Sequence, residues 1–156
     1  MTDRPSSADR TVVPVTLDVT GLPLLFVGGG QGTLQKLSGL TGRPVVRIVA
    51  PQVLPEVRTL ALTLGAQVDE RPFQESDLDG AALVYAFTND DGTNARIAAL
   101  CRIRGLWHNV AQHRGPGSFT SPAVARTDGV IAAFTTETAE PAKAVAARDE
   151  YLRGRK

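Results

Sequence analysis

Short apolar runs alternate along this chain with segments whose apolar residues recur at helical spacing. Leu22 to Val27 is an unbroken apolar run, the pattern of a strand buried on both faces, as in a parallel sheet. Gly28-Gly29-Gly30 ends it abruptly, and Gln31 to Leu40 follows with Leu34, Leu37 and Leu40 at helical spacing before Thr41-Gly42. Val45 to Val49 predicts a second, β-branched strand closed by Ala50-Pro51. Val53 to Leu64 predicts a helix with Val53, Val57, Leu60, Ala61 and Leu64 on one face, stopped by Gly65. Ala66 to Glu70 and Ala81 to Phe87 read as strands, the second followed by the polar cluster Thr88-Asn89-Asp90-Asp91-Gly92. A helix from Thr93 to Arg104, a stop at Gly105 and a strand from Leu106 to Val110 complete the series. Ahead of it, Val15, Leu17 and Val19 alternate with Thr16 and Asp18, which predicts an initial strand over Val15 to Val19. Strand and helix in turn, with short connections, predict an α/β fold with a parallel sheet.

The pattern changes after Ala111. Gln112 to Ser118 is a Gly/Pro-rich loop, and two short strands follow at Ala123 to Arg126 and Val130 to Thr135, with Asp128-Gly129 as the hairpin turn. A last helix covers Pro141 to Leu152, with proline suited to its first turn. One hairpin and one helix cannot build a core alone, so they are expected to pack on the first domain or on a second copy of the chain. The organisation expected is a disordered tail over 1–12, a main domain over 13–113 and a hairpin with a short helical segment over 114–156.

Composition narrows the class. With 156 residues, 42% of them hydrophobic, the chain supports one domain with a core and a small appendage. Seventeen basic residues against sixteen acidic ones give +1, which offers nucleic acid no basic field. A single cysteine, Cys101, cannot form an internal disulfide and points to a reducing compartment. No apolar run approaches the roughly 18 residues of a membrane span, and no signal-peptide core is visible, so the expected location is the cytoplasm.

The glycine run carries the chemistry. Gly28-Gly29-Gly30-Gln31-Gly32-Thr33 lies between a buried strand and a helix, the context of a dinucleotide-binding, Rossmann-like turn. Gly28 permits the sharp turn, Gly30 lets the backbone approach a pyrophosphate, and the helix start offers N–H groups to the phosphates. Thr33 stands at the third position of the fingerprint, where a small residue is usual. No Gly-Lys-Ser/Thr follows, so this is not a P-loop. The acidic residue that usually grips the ribose after the second strand is replaced by Ala50-Pro51. Arg47 lies inside that strand rather than at its end, so the residues themselves do not choose between NAD and NADP.

An ordered set of elements resembles the precorrin-2 dehydrogenase / sirohydrochlorin ferrochelatase family, including the N-terminal module of bifunctional siroheme synthases. The set runs Pro14; Val27-Gly28-Gly29-Gly30 with Lys36; Ile48-Val49-Ala50-Pro51; Arg71-Pro72-Phe73 with Asp77-Leu78; and Thr88-Asn89-Asp90-Asp91 with Asn94. It continues with Asn109-Val110, Ser118-Phe119, Pro122-Ala123, Thr135-Thr136 and Pro141, and extends from about Pro14 to Arg148. The resemblance implies NAD-dependent removal of two hydrogens from precorrin-2, a tetrapyrrole, to give sirohydrochlorin, with iron insertion in some members. It also implies a homodimer in which the hairpin segment exchanges strands across the interface. By position, Gln31, Gly32, Pro51 and Gln52 would line the dinucleotide, with Thr88 and Asn94 near its nicotinamide end.

Departures from the family pattern matter as much. Gln112 stands where the family has an aspartate thought to serve both chemical steps. An amide cannot take up a proton, which leaves hydrogen bonding to a propionate or pyrrole. The adjacent His113, of the residue type able to change charge near neutrality, reads either as a catalytic group or as an exposed loop histidine. Glu137-Thr138-Ala139-Glu140 replaces a glycine-rich stretch and adds negative charge where an octacarboxylate substrate would lie. The sequence ends at Lys156, short of the family's longer helical C-terminal region, so a reduced cleft and weak or absent chelatase activity are expected. Arg114 and Arg126 could bind substrate carboxylates, or be surface residues. Cys101, His108 and His113 fit no zinc spacing, and Cys101 reads as a core thiol. Asp90 and Asp91 read as a helix N-cap with a solvated neighbour. Trp107 is expected in the core or an interface.

Overall fold

The computed structural model describes residues 11–111, 117–137 and 140–155. They form two compact units, one of which is Leu17–Phe119 and the other of which contains the chain from Thr120 onward. In the first unit, strands β1 (Pro23–Val27), β2 (Val45–Val49), β3 (Gln67–Asp69), β4 (Leu83–Ala86) and β5 (Trp107–Val110) make a wholly parallel sheet in the order β3-β2-β1-β4-β5. Helices α1 (Gln31–Leu37), α2 (Pro55–Leu64) and α3 (Asp91–Ile103) and a 3₁₀ turn, Glu75–Leu78, connect them. This is the parallel α/β architecture that the apolar runs predict.

β1 shows why those runs are unbroken. Successive side chains of a strand point to opposite faces, and here both faces are covered. Leu24 and Phe26 pack with Leu37 of α1 and Val57 and Ala61 of α2. Leu25 and Val27 pack on the other side with Leu78 and with Ile97 and Cys101 of α3. Cys101 is thus a core thiol, and burial pushes its pKa up to about 11.

The boundaries that differ from expectation have local causes. Helix α1 stops at Leu37 rather than Leu40: the Gly39 and Leu40 N–H groups bond three residues back, to the Lys36 and Leu37 carbonyls, and the ladder does not continue. Helix α2 starts at Pro55, since the residue before a proline is held extended, as Leu54 is at φ −59°, ψ 144°. No strand forms over Val15 to Val19: residues 11–19 have no regular structure, and Val15 and Leu17 are exposed. Alternation makes a strand only where a neighbour takes its hydrogen bonds, and the sheet order has no place for this segment. Trp107 is not in the core; it begins the edge strand β5 and is 50% exposed.

The outer edge of β5 is partly covered. The His108 N–H donates to Ser118 Oγ at 2.7 Å, and the Ser118 N–H donates to the His108 carbonyl at 2.8 Å. The buried imidazole of His108 meets the Leu106 carbonyl through Nδ1 at 3.0 Å.

At the other side of the sheet an ion network ties β2, β3 and the 3₁₀ turn. Arg47 binds Asp69 at 2.6 Å and Asp77 at 3.1 Å, and Arg71 grips both oxygens of Asp77 at 2.5 and 2.9 Å. Asp77 is buried, and Arg71 above all holds its carboxyl below the usual aspartate range. A carboxyl depressed on folding stabilises at pH values above its unfolded pKa, and that contribution is lost as pH falls through the folded value. Asp77→Asn should therefore cost about 2–3 kcal/mol at pH 7, discounted from a fully buried pair because both arginines reach solvent. Unfolding measured from pH 7 down to 2 should show the gap between wild type and variant closing below pH ~4. A gap independent of pH would mean that the network contributes packing only.

The second unit holds β6 (Ala123–Thr127), β7 (Val130–Phe134) and α4 (Pro141–Arg153). β6 and β7 pair antiparallel from Ala123↔Phe134 to Thr127↔Val130. Asp128 and Gly129 both take positive φ, 49° and 77°, as the tight hairpin expected there requires. Phe134 packs on Tyr151 of α4 at 5.5 Å, and the Arg155 guanidinium lies over the Tyr151 ring. Val124, Val130 and Ile131 remain exposed on the hairpin, and Val145 on α4.

Candidate functional site

In the order β3-β2-β1-β4-β5 the chain winds outward from β1 to one side, then returns to β4 on the other. Such a reversal opens a crevice at the carboxyl ends of the two central strands, where α/β sheets bind ligands. Three loops meet there: residues 28–30 after β1, 50–54 after β2 and 87–90 after β4. Backbone bonds join them, from Gly28 N–H to the Val49 carbonyl, Phe87 N–H to Val27 and Leu54 N–H to Gly29.

The glycines differ in what holds them to glycine. Gly28 has φ +119°, and a Cβ on it would lie 2.2 Å from the Phe87 carbonyl oxygen. A Cβ on Gly29 would lie 2.4 Å from the Gln52 carbonyl oxygen and 2.8 Å from Val53 Cα. At Gly30 a Cβ would meet nothing within 4 Å. Two glycines therefore seat the turn against the protein, while the third faces open space. Beyond Gly30, which has no side chain to cap the helix, come Gln31, Gly32 and Thr33, whose N–H groups precede the first intrahelical bond, from Leu34 to Gly30. A backbone cradle of this kind, open on the ligand side and rich in N–H donors, fits a dinucleotide pyrophosphate.

Thr33 resolves the question of a bulky third position. It is fully buried, and its hydroxyl donates to the Gly28 carbonyl at 2.7 Å, closing the turn on itself. Gly32 lies beside the Phe87 ring. Pro51 and Gln52 follow β2 and are exposed at the rim. Arg47 is engaged by Asp69 and Asp77 and is not held free for a 2′-phosphate.

On the β4 side, Asp90 caps α3, its Oδ2 accepting from the Thr93 N–H at 2.7 Å; the Thr93 side chain, and then this N–H, hold its carboxyl below the ordinary range. Thr88 and Asn94 are brought together: Asn94 Oδ1 accepts from the Thr88 N–H and hydroxyl, and Asn94 Nδ2 donates to the Thr88 carbonyl. Gly28, Gly30, Gln31, Gly32, Thr33, Pro51, Gln52, Thr88 and Asn94 thus gather around one crevice. Arg126 lies on β6 in the other unit and is exposed. Gln112, His113 and Arg114, and residues 138–139 of the acidic stretch, lie outside the described residues. Glu140 of that stretch pairs with Lys143 at 2.7 Å. Sequence reasoning missed Gly29 and Phe87 as parts of the turn's seat; the signal available was the third consecutive glycine.

Comparison with known proteins places these features. Residues 15–123 match the family model described as "Putative NAD(P)-binding". Over 125 residues, 80% of this chain, the sequence is 34% identical to the siroheme synthase of Pseudomonas entomophila (strain L48). It is likewise 34% identical to that of Ectopseudomonas mendocina (strain ymp) and 31% to that of Pseudomonas fluorescens (strain SBW25). The match spans 27% of the length of each of these curated relatives. Among solved structures, "SirC, precorrin-2 dehydrogenase" superposes with a TM-score of 0.74 at 22% identity, covering 92% of this chain and 71% of that one, a likeness of fold.

Proposed function

The chain belongs to this NAD(P)-binding family, and from that premise we propose that it is an NAD-dependent precorrin-2 dehydrogenase. It works in the cytoplasm as a homodimer, with weak or absent chelatase activity. The observation that carries the reading is the turn at the switch point, where Gly28 and Gly29 are seated on backbone while Gly30 faces open space. The siroheme synthase relatives, similar over 80% of this chain, support the substrate class.

Precorrin-2 loses two hydrogens to become sirohydrochlorin, one leaving as hydride and the other as a proton. Bound NAD⁺ supplies the hydride acceptor. The chain's own part is positioning. The N–H groups of Gln31, Gly32 and Thr33 hold the pyrophosphate, and Pro51 and Gln52 border the adenosine side. Thr88, in the loop after β4, sits near the nicotinamide end. Arg114 and Arg126 neutralise substrate carboxylates. Gln112 hydrogen-bonds the substrate without taking its proton, and His113 is the adjacent group able to accept one. Restoring a carboxylate by Gln112→Asp should raise turnover about a hundredfold or more, the usual range of a positioned general base. Unchanged turnover in that variant would show that the proton leaves without help from this position.

Val124, Val130 and Ile131, exposed on the hairpin, support the homodimer. Sedimentation of the purified protein tests it, with a monomer at micromolar concentration counting against it.

A second reading, a dinucleotide- or tetrapyrrole-binding sensor or carrier without catalysis, is favoured by Gln112 at the family's aspartate position. Anaerobic incubation with precorrin-2 and NAD⁺, or separately NADP⁺, decides between them. Nucleotide-dependent formation of sirohydrochlorin establishes the dehydrogenase. Nucleotide binding with no turnover above the enzyme-free rate leaves the binding protein.

A further inference from the structure

Asn94 is an amide 2% exposed, in the second turn of α3, and its bonds all go to one residue. Its Oδ1 accepts from the Thr88 N–H at 3.1 Å and from the Thr88 hydroxyl at 2.8 Å, and its Nδ2 donates to the Thr88 carbonyl at 2.9 Å. Both backbone polar groups of Thr88 are thereby held by one side chain, as a neighbouring strand would hold them. The Asp90 N–H donates to the Thr88 hydroxyl oxygen at 3.2 Å, and Asp90 in turn caps the helix that carries Asn94. The knot is closed.

What it closes on is the glycine turn. Thr88 follows Phe87, whose N–H donates to the Val27 carbonyl and whose carbonyl oxygen stands where a side chain on Gly28 would be. The position of Thr88 therefore sets the wall against which Gly28 bends, and so the direction in which Gly30 and the start of α1 face the crevice. The Asn94 oxygen accepts twice and its nitrogen donates to Thr88, and at 2% exposure the side chain presents almost no surface to a ligand.

We infer that Asn94 is a positioning residue for the dinucleotide, acting through Thr88 and Phe87 on the glycine turn and not by touching the nucleotide. The inference rests on the dinucleotide-binding reading above. It assigns Asn94 a different part from the place near the nicotinamide end that the family resemblance implies.

The test compares wild type, Asn94→Ala, Asn94→Asp and, as a control in the same helix, Ile97→Ala, all kept well below their melting temperatures. NADH affinity is read by fluorescence, and amide exchange at Gly28 and Thr88 is read in the nucleotide-free protein. Asn94→Ala should bind NADH about 10–100-fold more weakly, with faster exchange at Gly28 and Thr88. Asn94→Asp keeps an acceptor for the Thr88 N–H and hydroxyl and should recover part of both. Ile97→Ala, destabilised but with the knot intact, should bind NADH like wild type. Normal affinity in Asn94→Ala, or a loss in Ile97→Ala as large as that in Asn94→Ala, overturns the inference. So does lost affinity in Asn94→Ala with unchanged exchange at Gly28, because Asn94 would then contact the nucleotide itself. Wild type with no affinity for either NADH or NADPH overturns the dinucleotide reading, an outcome distinct from these.

Discussion

Gly28→Ala should leave little folded protein, with a loss above about 4 kcal/mol out of the 5–15 kcal/mol typical of a domain. Two costs add. At φ +119° an alanine sits in a region that L-residues avoid, worth about 1–3 kcal/mol. Its methyl group would also lie 2.2 Å from the Phe87 carbonyl oxygen. That oxygen cannot yield cheaply, because Phe87 is bonded to Val27 and Thr88 is held by Asn94. Gly42→Ala separates the two costs, since Gly42 has φ +78° with nothing within 4 Å. Its loss should be near 1 kcal/mol, the cost of conformation alone. Thermal or urea unfolding of both variants reads the difference. Equal losses would mean that the approach of β4 to the turn is not what demands glycine.

Gly30→Ala should behave in the opposite way. With φ −94° and ψ −165° the residue is already in extended backbone, and its side-chain position is open. Stability should fall by no more than about 1 kcal/mol, the cost of a poorer N-cap. The methyl group would instead occupy space that the bound pyrophosphate needs, so NAD(H) affinity should fall about 100-fold, roughly 2.7 kcal/mol. Titration with NADH beside a melting curve reads both. A variant that melts early yet binds normally when folded would place the phosphates elsewhere.

The glycine run stood out in the sequence, but the division of labour within it did not. Nothing in Gly28-Gly29-Gly30 distinguishes a glycine pressed on backbone from one facing space, because the pressing groups, Phe87 and Gln52, arrive from other loops. Strands β1 and β4 were legible because burial on two faces leaves a nearly continuous apolar run, and β2 because its β-branched residues outweigh the single Arg47. Val15 to Val19 misled for the converse reason: alternation records side-chain preference and says nothing of whether a partner strand exists. Thr33 read as slightly bulky for its place because size was visible and the Gly28 carbonyl awaiting its hydroxyl was not. Asn94 was noticed only through family resemblance, since a hydrogen bond six residues back across a loop leaves no periodic trace. Trp107 read as core or interface on its size; the edge position of β5 leaves it half exposed, which removes the core alternative.

Ser118, with Phe119 beside it, sits along β5 as a short stand-in for a sixth strand, filling the His108 N–H and carbonyl. Open sheet edges are templates on which other chains can lengthen the ladder, and natural sheets blunt them. At the opposite edge, β3 has only three residues and carries Asp69 inside its ion network. A sheet shut at one end by a serine and cut short at the other by charge has little room to grow by recruiting strands. Ser118→Pro would remove the N–H and hydroxyl together and reopen the β5 side. The mutant's risk would then be fibrous aggregation during expression, with its cofactor crevice still intact.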